Sequence, residues 1–117
     1  MNLIEELQET LRMEIRSNSE PPKYLEAVIT RSDLELLRSL LTRHFGPAAK
    51  EPGTRRTFPK EIQGLIDSIG GLRTEQSFFY RLGDDSHVLY AALWPWASDP
   101  DRITLKAGRK SIAEENQ

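Results

Sequence analysis

QSFFYRLGDDSHVLYAALWPW, residues 76–96, is the stretch whose reading decides the fold. Aromatic and β-branched residues run from Gln76 to Leu82 and again from Ser86 to Trp94, and Gly83-Asp84-Asp85 between them has the composition of a turn. Two strands joined so briefly form an antiparallel hairpin. Side chains alternate across a strand, so Phe78, Tyr80 and Leu82 share a face opposite Ser77, Phe79 and Arg81. In the partner strand Val88, Tyr90, Ala92 and Trp94 oppose Leu89, Ala91 and Leu93. Neither face is polar. Helices are therefore expected to cover one side of this hairpin and part of the other.

Working outward, Pro95 to Asp101 reads as a loop, and Arg102 to Ala107 as a third strand with Ile103, Leu105 and Ala107 on one face. Its edge is a candidate for homodimer pairing, unless Arg102 and Lys106 guard it. Upstream, Ile62, Leu65, Ile66 and Ile69 fall at helical spacing behind Pro59, and Gly70-Gly71 ends that helix. Ser32 to Phe45 is a second helix. Ser32-Asp33-Leu34-Glu35 matches a capping box, and Gly46-Pro47 matches a helix stop. Lys23 to Thr30 alternates and ends in β-branched Val28, Ile29 and Thr30, which favours a strand. Asn2 to Arg16 carries Leu3, Ile4, Leu7, Leu11 and Ile15 as one helical stripe, with Glu5, Glu6 and Glu9 early and Arg12 and Arg16 late.

The order is therefore α-β-α-α-β-β-β. Strands gathered toward one end imply an α+β fold, three helices packed on a mainly antiparallel sheet. Residues 1–110 form one domain in this reading, and 111–117 a flexible polar tail.

With 117 residues, 29% charged and 38% hydrophobic, the chain is long and apolar enough for one core. The absence of cysteine excludes disulfides, thiol nucleophiles and thiolate metal sites. No apolar run reaches membrane-spanning length, and no secretory signal is visible at the N-terminus, which points to a cytoplasmic protein. A net charge of −2 provides no global field for nucleic acid or anionic lipid.

Asp84-Asp85-Ser86-His87 contains the residue types of a serine triad, yet adjacent residues across a tight turn diverge instead of converging. A small enzyme using His87 with Asp84 or Asp85 is thus the weakest reading. A metal site on these groups would need further ligands, and only His44 offers another imidazole. His44 itself fits the last turn of a helix, where a cation opposes the dipole. No cofactor or metal is expected.

Arg55, Arg56 and Lys60 cluster before and within the helix opened by Pro59, a composition suited to a carboxylate or phosphate, and Arg73 or Arg81 would augment it if the fold brought them near. Trp96 follows a proline at a strand end, where an indole commonly forms a binding patch; Trp94 is expected in the core. The leading expectation is a non-enzymatic module, monomer or homodimer, that contacts a protein or an acidic small ligand through Arg55, Arg56, Lys60, Trp96 and Arg102. The alternative is a domain that stacks single-stranded nucleic acid on the aromatic sheet.

Overall fold

Alternating strands with two apolar faces need cover on both sides, and the fold supplies it as three layers. A computed structural model describes residues 3–20, 23–83 and 87–111. Its elements are α1 (Leu3–Thr10), β1 (Glu14–Ile15), β2 (Tyr24–Thr30), α2 (Leu34–Phe45), α3 (Lys60–Ser68), β3 (Ser77–Leu82), β4 (His87–Pro95) and β5 (Arg102–Ser111). The five strands form one antiparallel sheet in the order β1-β2-β5-β4-β3. This is the expected α+β architecture, with three helices and the expected element order apart from the short β1.

Leu25, Ala27 and Ile29 of β2, Ile103 and Leu105 of β5, Ala91 and Leu93 of β4 and Phe79 of β3 pack under α1 and α2. On the opposite face Phe78, Val88, Tyr90 and Ala92 pack under Ile62, Leu65 and Ile66 of α3. The hairpin that decides the fold is therefore buried on both sides, Phe78 and Phe79 alike.

β5 lies inside the sheet, between β2 and β4, so it has no edge to offer a second copy. The idea of a homodimer built on that strand fails for this reason. The sheet ends instead on two-residue β1 and on β3. The β3 edge is itself partly closed, because Lys50 exchanges backbone hydrogen bonds with Phe78, N to O, at 3.1 Å each way. Ser111, assigned to the tail by the sequence reading, closes β5 opposite His87. Residues 112–117 lie outside the described residues.

Two local expectations change. The first helix stops at Thr10, and Ile15, fifth in its stripe, is 46% exposed in β1. Glu14 and Ile15 pair with Val28 and Ala27, and the Arg16 N–H donates to the Glu26 carbonyl at 2.8 Å. Satisfying the outer edge of β2 outweighs one more helical turn. Arg12 and Arg16 thus stand beyond the helix end they were expected to complement. The capping box is not formed either. Ser32 lies in a 3-10 turn, its hydroxyl 2.9 Å from that of Thr30, and Asp33 precedes α2 without a side-chain cap. The Arg31 N–H, bonded to the Asp101 carbonyl at 2.8 Å, ties this turn to the β4–β5 loop.

Gly70 shows a close approach as well as a helix stop. Its φ is +112°, and a Cβ there would stand 2.5 Å from Cη2 of Trp94. Among the described residues no helix is long and apolar enough to cross a membrane.

Candidate functional site

The irregular stretch between α2 and α3 is held by a buried lysine. Lys50 is only 5% exposed, and its Nζ donates to the carbonyls of Gln76 at 2.7 Å, Thr74 at 2.9 Å and Glu51 at 3.3 Å. Burial lowers its pKa, with Glu75 pulling the other way. The ammonium thus acts as a pin, drawing residues 50–51 onto the segment that leads into β3. The Gly53 N–H bonds Thr74 at 2.7 Å and reinforces it. Arg38 of α2 grips both Glu51 carboxylate oxygens, at 2.9 and 3.1 Å, from the outer side.

A cleft of about 770 Å³ opens beside this pin, between residues 54–58, α3 and residues 72–75. Phe58, Ile66 and Leu72 give it an apolar floor. Phe58 is fixed by edge contacts to Phe78 and Tyr80, with ring centroids 5.7 and 6.1 Å away. Arg55, Arg56 and Arg73 stand around it, against Glu75 as the one lining carboxylate. Arg56 is committed: it donates to the Ala49 carbonyl at 2.6 Å and lies 5.8 Å from the Phe58 ring. The guanidinium groups of Arg55 and Arg73 are exposed and make no hydrogen bond or ion pair with the described residues. Buried Gln76 sets the Arg73 turn by accepting the Arg73 N–H at 2.7 Å. Two free guanidiniums over an apolar floor can hold an anion that has an apolar body.

The residues nominated from sequence fall in different places. Arg55 and Arg56 line the cleft, and Arg73 joins them. Lys60 is exposed on the first turn of α3 and does not line it, and the cleft meets α3 at Gln63 and Ile66 instead of at its N–H end. Arg81 serves α2, donating to the His44 carbonyl at 3.1 Å. Trp96 and Arg102 form a separate pair, the guanidinium carbon 5.7 Å from the ring. There the indole Nε1 donates to Thr104 at 2.8 Å, and Arg102 faces Asp99 at 3.2 Å and Glu14 at 3.7 Å. Trp96 is half-buried, so part of its ring remains a surface. Trp94 lies between Gly70 and Lys106, whose Nζ is 3.6 Å from the ring centroid.

His44 has a specific partner that sequence did not reveal. Its Nε2 is 2.9 Å from Glu6 of α1, and Arg43 pairs with the other Glu6 oxygen. The hydrogen bond from His44, aided by the Arg43 charge, holds the Glu6 carboxyl below its usual range. Asp84, Asp85 and Ser86 lie outside the described residues, while His87 opens β4 opposite Ser111. No group of three metal-ligating side chains occurs among the described residues. Phe78, Phe79 and Tyr90 are all at most 4% exposed, so these rings present no open platform for stacking bases.

Lys50, Gln76 and Leu72 were not legible as site residues. Their roles come from backbone carbonyls and turns that only folding brings together. No family model matches this chain, and no curated protein or solved structure shows significant similarity to it.

Proposed function

We propose that this chain is a non-enzymatic, cytoplasmic binding module whose cleft takes a small acidic ligand with an apolar body. The observation that carries this reading is the pairing of two uncommitted guanidiniums, Arg55 and Arg73, with an apolar floor of Phe58, Ile66 and Leu72. The cleft volume of about 770 Å³ falls in the range of small-molecule sites. The anionic group sits between the two arginines, and the body lies on Phe58. Lys50 and Gln76 keep the rim in place and do not themselves need to touch the ligand.

The test is calorimetric titration with anilinonaphthalene sulfonate, an anion on an aromatic body, into the parent chain and into Arg55→Ala plus Arg73→Ala. A charge-assisted hydrogen bond contributes about 1.5–3 kcal/mol, so the double variant should bind at least roughly tenfold more weakly. Affinity of the parent should also fall as salt rises. Equal affinity in the two proteins refutes the assignment.

A further inference from the structure

α3 packs over the β3 and β4 part of its sheet face. Over β2 and β5, beside Ser68 and Ile69 at the end of α3, a second cavity of about 480 Å³ opens, and it shares no lining residue with the cleft. Strand pairing sets Tyr24, Gly108 and Tyr90 in one row across it. Gly108 has no side chain, and Tyr90 leans into that space. A Cβ at Gly108 would lie 3.0 Å from the Tyr90 hydroxyl and 2.7 Å from the Lys23 carbonyl. Lys106 and Lys110, two residues to either side of Gly108 along β5, share its face.

The charges around this groove are unequal in number and in commitment. Glu26 is its one lining carboxylate, and its Oε1 already accepts from the Tyr24 hydroxyl at 2.6 Å and Asn18 Nδ2 at 3.1 Å. Burial opposes its ionisation, but those hydrogen bonds, with Lys106 and Arg16, still hold its carboxyl below the usual range. Lys106 donates to the Ile69 carbonyl at 2.8 Å and so offsets the negative end of α3. Lys23, Arg109 and Lys110 also line the groove and make no ion pair with the described residues.

Tyr90 supplies the independent pointer. It is 4% exposed, it lines the groove, and its hydroxyl makes no hydrogen bond with the described residues. Burial pushes its pKa up to about 12, so it remains an O–H donor at neutral pH. The ring is buried while the hydroxyl opens to the groove, so it can donate to a ligand oxygen placed there.

From this juxtaposition we infer that the groove is a second site, for a small phosphate monoester. The phosphoryl group accepts from the Tyr90 hydroxyl and is neutralised by Lys110 with Lys23. The organic part lies along the Tyr24 ring and Ile69. A dianion matches the two uncommitted lysines, Lys23 and Lys110, better than a carboxylate does, and the volume leaves room beyond the phosphoryl group.

Titration of the full chain with phenyl phosphate, inorganic phosphate and phenylacetate tests this. Phenyl phosphate should bind most tightly. Tyr90→Phe, which removes only the hydroxyl, should weaken it about tenfold. Lys110→Gln should weaken it further at low salt, and every titration is made in the Arg55→Ala plus Arg73→Ala background, which removes the cleft's own affinity for an anion on an aromatic body. The assignment is overturned if Tyr90→Phe binds within about twofold of the parent while keeping its thermal midpoint. It is equally overturned if phenylacetate or inorganic phosphate binds as tightly as phenyl phosphate, or if phenyl phosphate does not bind.

Discussion

Replacing Gly70 by alanine isolates how the α3 turn and the sheet lock together. Gly70 and Gly71 both have positive φ, +112° and +83°, so alanine at either position is strained by about 1–2 kcal/mol. They differ in surroundings. A Cβ at Gly71 meets nothing within 4 Å, whereas one at Gly70 stands 2.5 Å from Cη2 and 3.4 Å from Cζ2 of Trp94. Relief requires the indole to swing, which breaks its 3.6 Å contact with Lys106 and disturbs the Lys106 bond to Ile69. Overpacking of this kind adds about 1–3 kcal/mol. Gly70→Ala is therefore expected to lose about 2–5 kcal/mol, and Gly71→Ala about 1–2, each slightly offset by a stiffer unfolded chain. Urea unfolding followed by tryptophan fluorescence measures both, with the transition slope serving to check that unfolding remains two-state. Equal losses in the two variants would falsify the contact argument and leave only backbone strain.

Two further outcomes follow from titrating groups. Glu6 has a folded pKa below its ordinary 4.5, so its clasp on His44 and Arg43 stabilises at neutral pH and is lost as pH falls through the folded value; the stability gap between parent and Glu6→Gln, measured by urea unfolding, should shrink between pH 6 and pH 3. Lys50 is shifted the other way for a base, its folded pKa lying below 10.5, so the unfolded chain binds the proton more readily and stability relative to Lys50→Met should rise as pH climbs toward 10.5. Lys50→Met should also speed amide exchange at Gly53, whose partner carbonyl on Thr74 loses its second anchor.

The extent to which the sequence was legible follows the range of the interaction concerned. Alternation in β2, β4 and β5 and the 3.6-residue spacing of Leu37, Leu41, Ile62 and Ile66 are local signals, and each element they mark is present. The stripe that ends at Ile15 is equally local yet misleading. Helical spacing there competes with the unpaired edge of β2, where the partners of Glu14 and Ile15 lie fourteen and twelve residues further along the chain. The capping-box pattern gave way similarly to a turn held from Asp101. At the site, Arg55 and Arg56 were visible as charges beside a helix, whereas Arg73 entered the cleft through the Gln76 amide, and Lys50 through carbonyls more than twenty residues distant.

By itself the sequence determined the α+β class and the order of the elements it marked, because periodicity and turn chemistry act within a few residues. Only the tertiary structure decided that β5 would be central, that Trp96 and Arg102 would stand apart from Arg55 and Arg56, and that Tyr24 and Tyr90 would meet across Gly108. Those outcomes depend on which strand edges find partners and which carbonyls are left to be satisfied, quantities that no window of sequence contains.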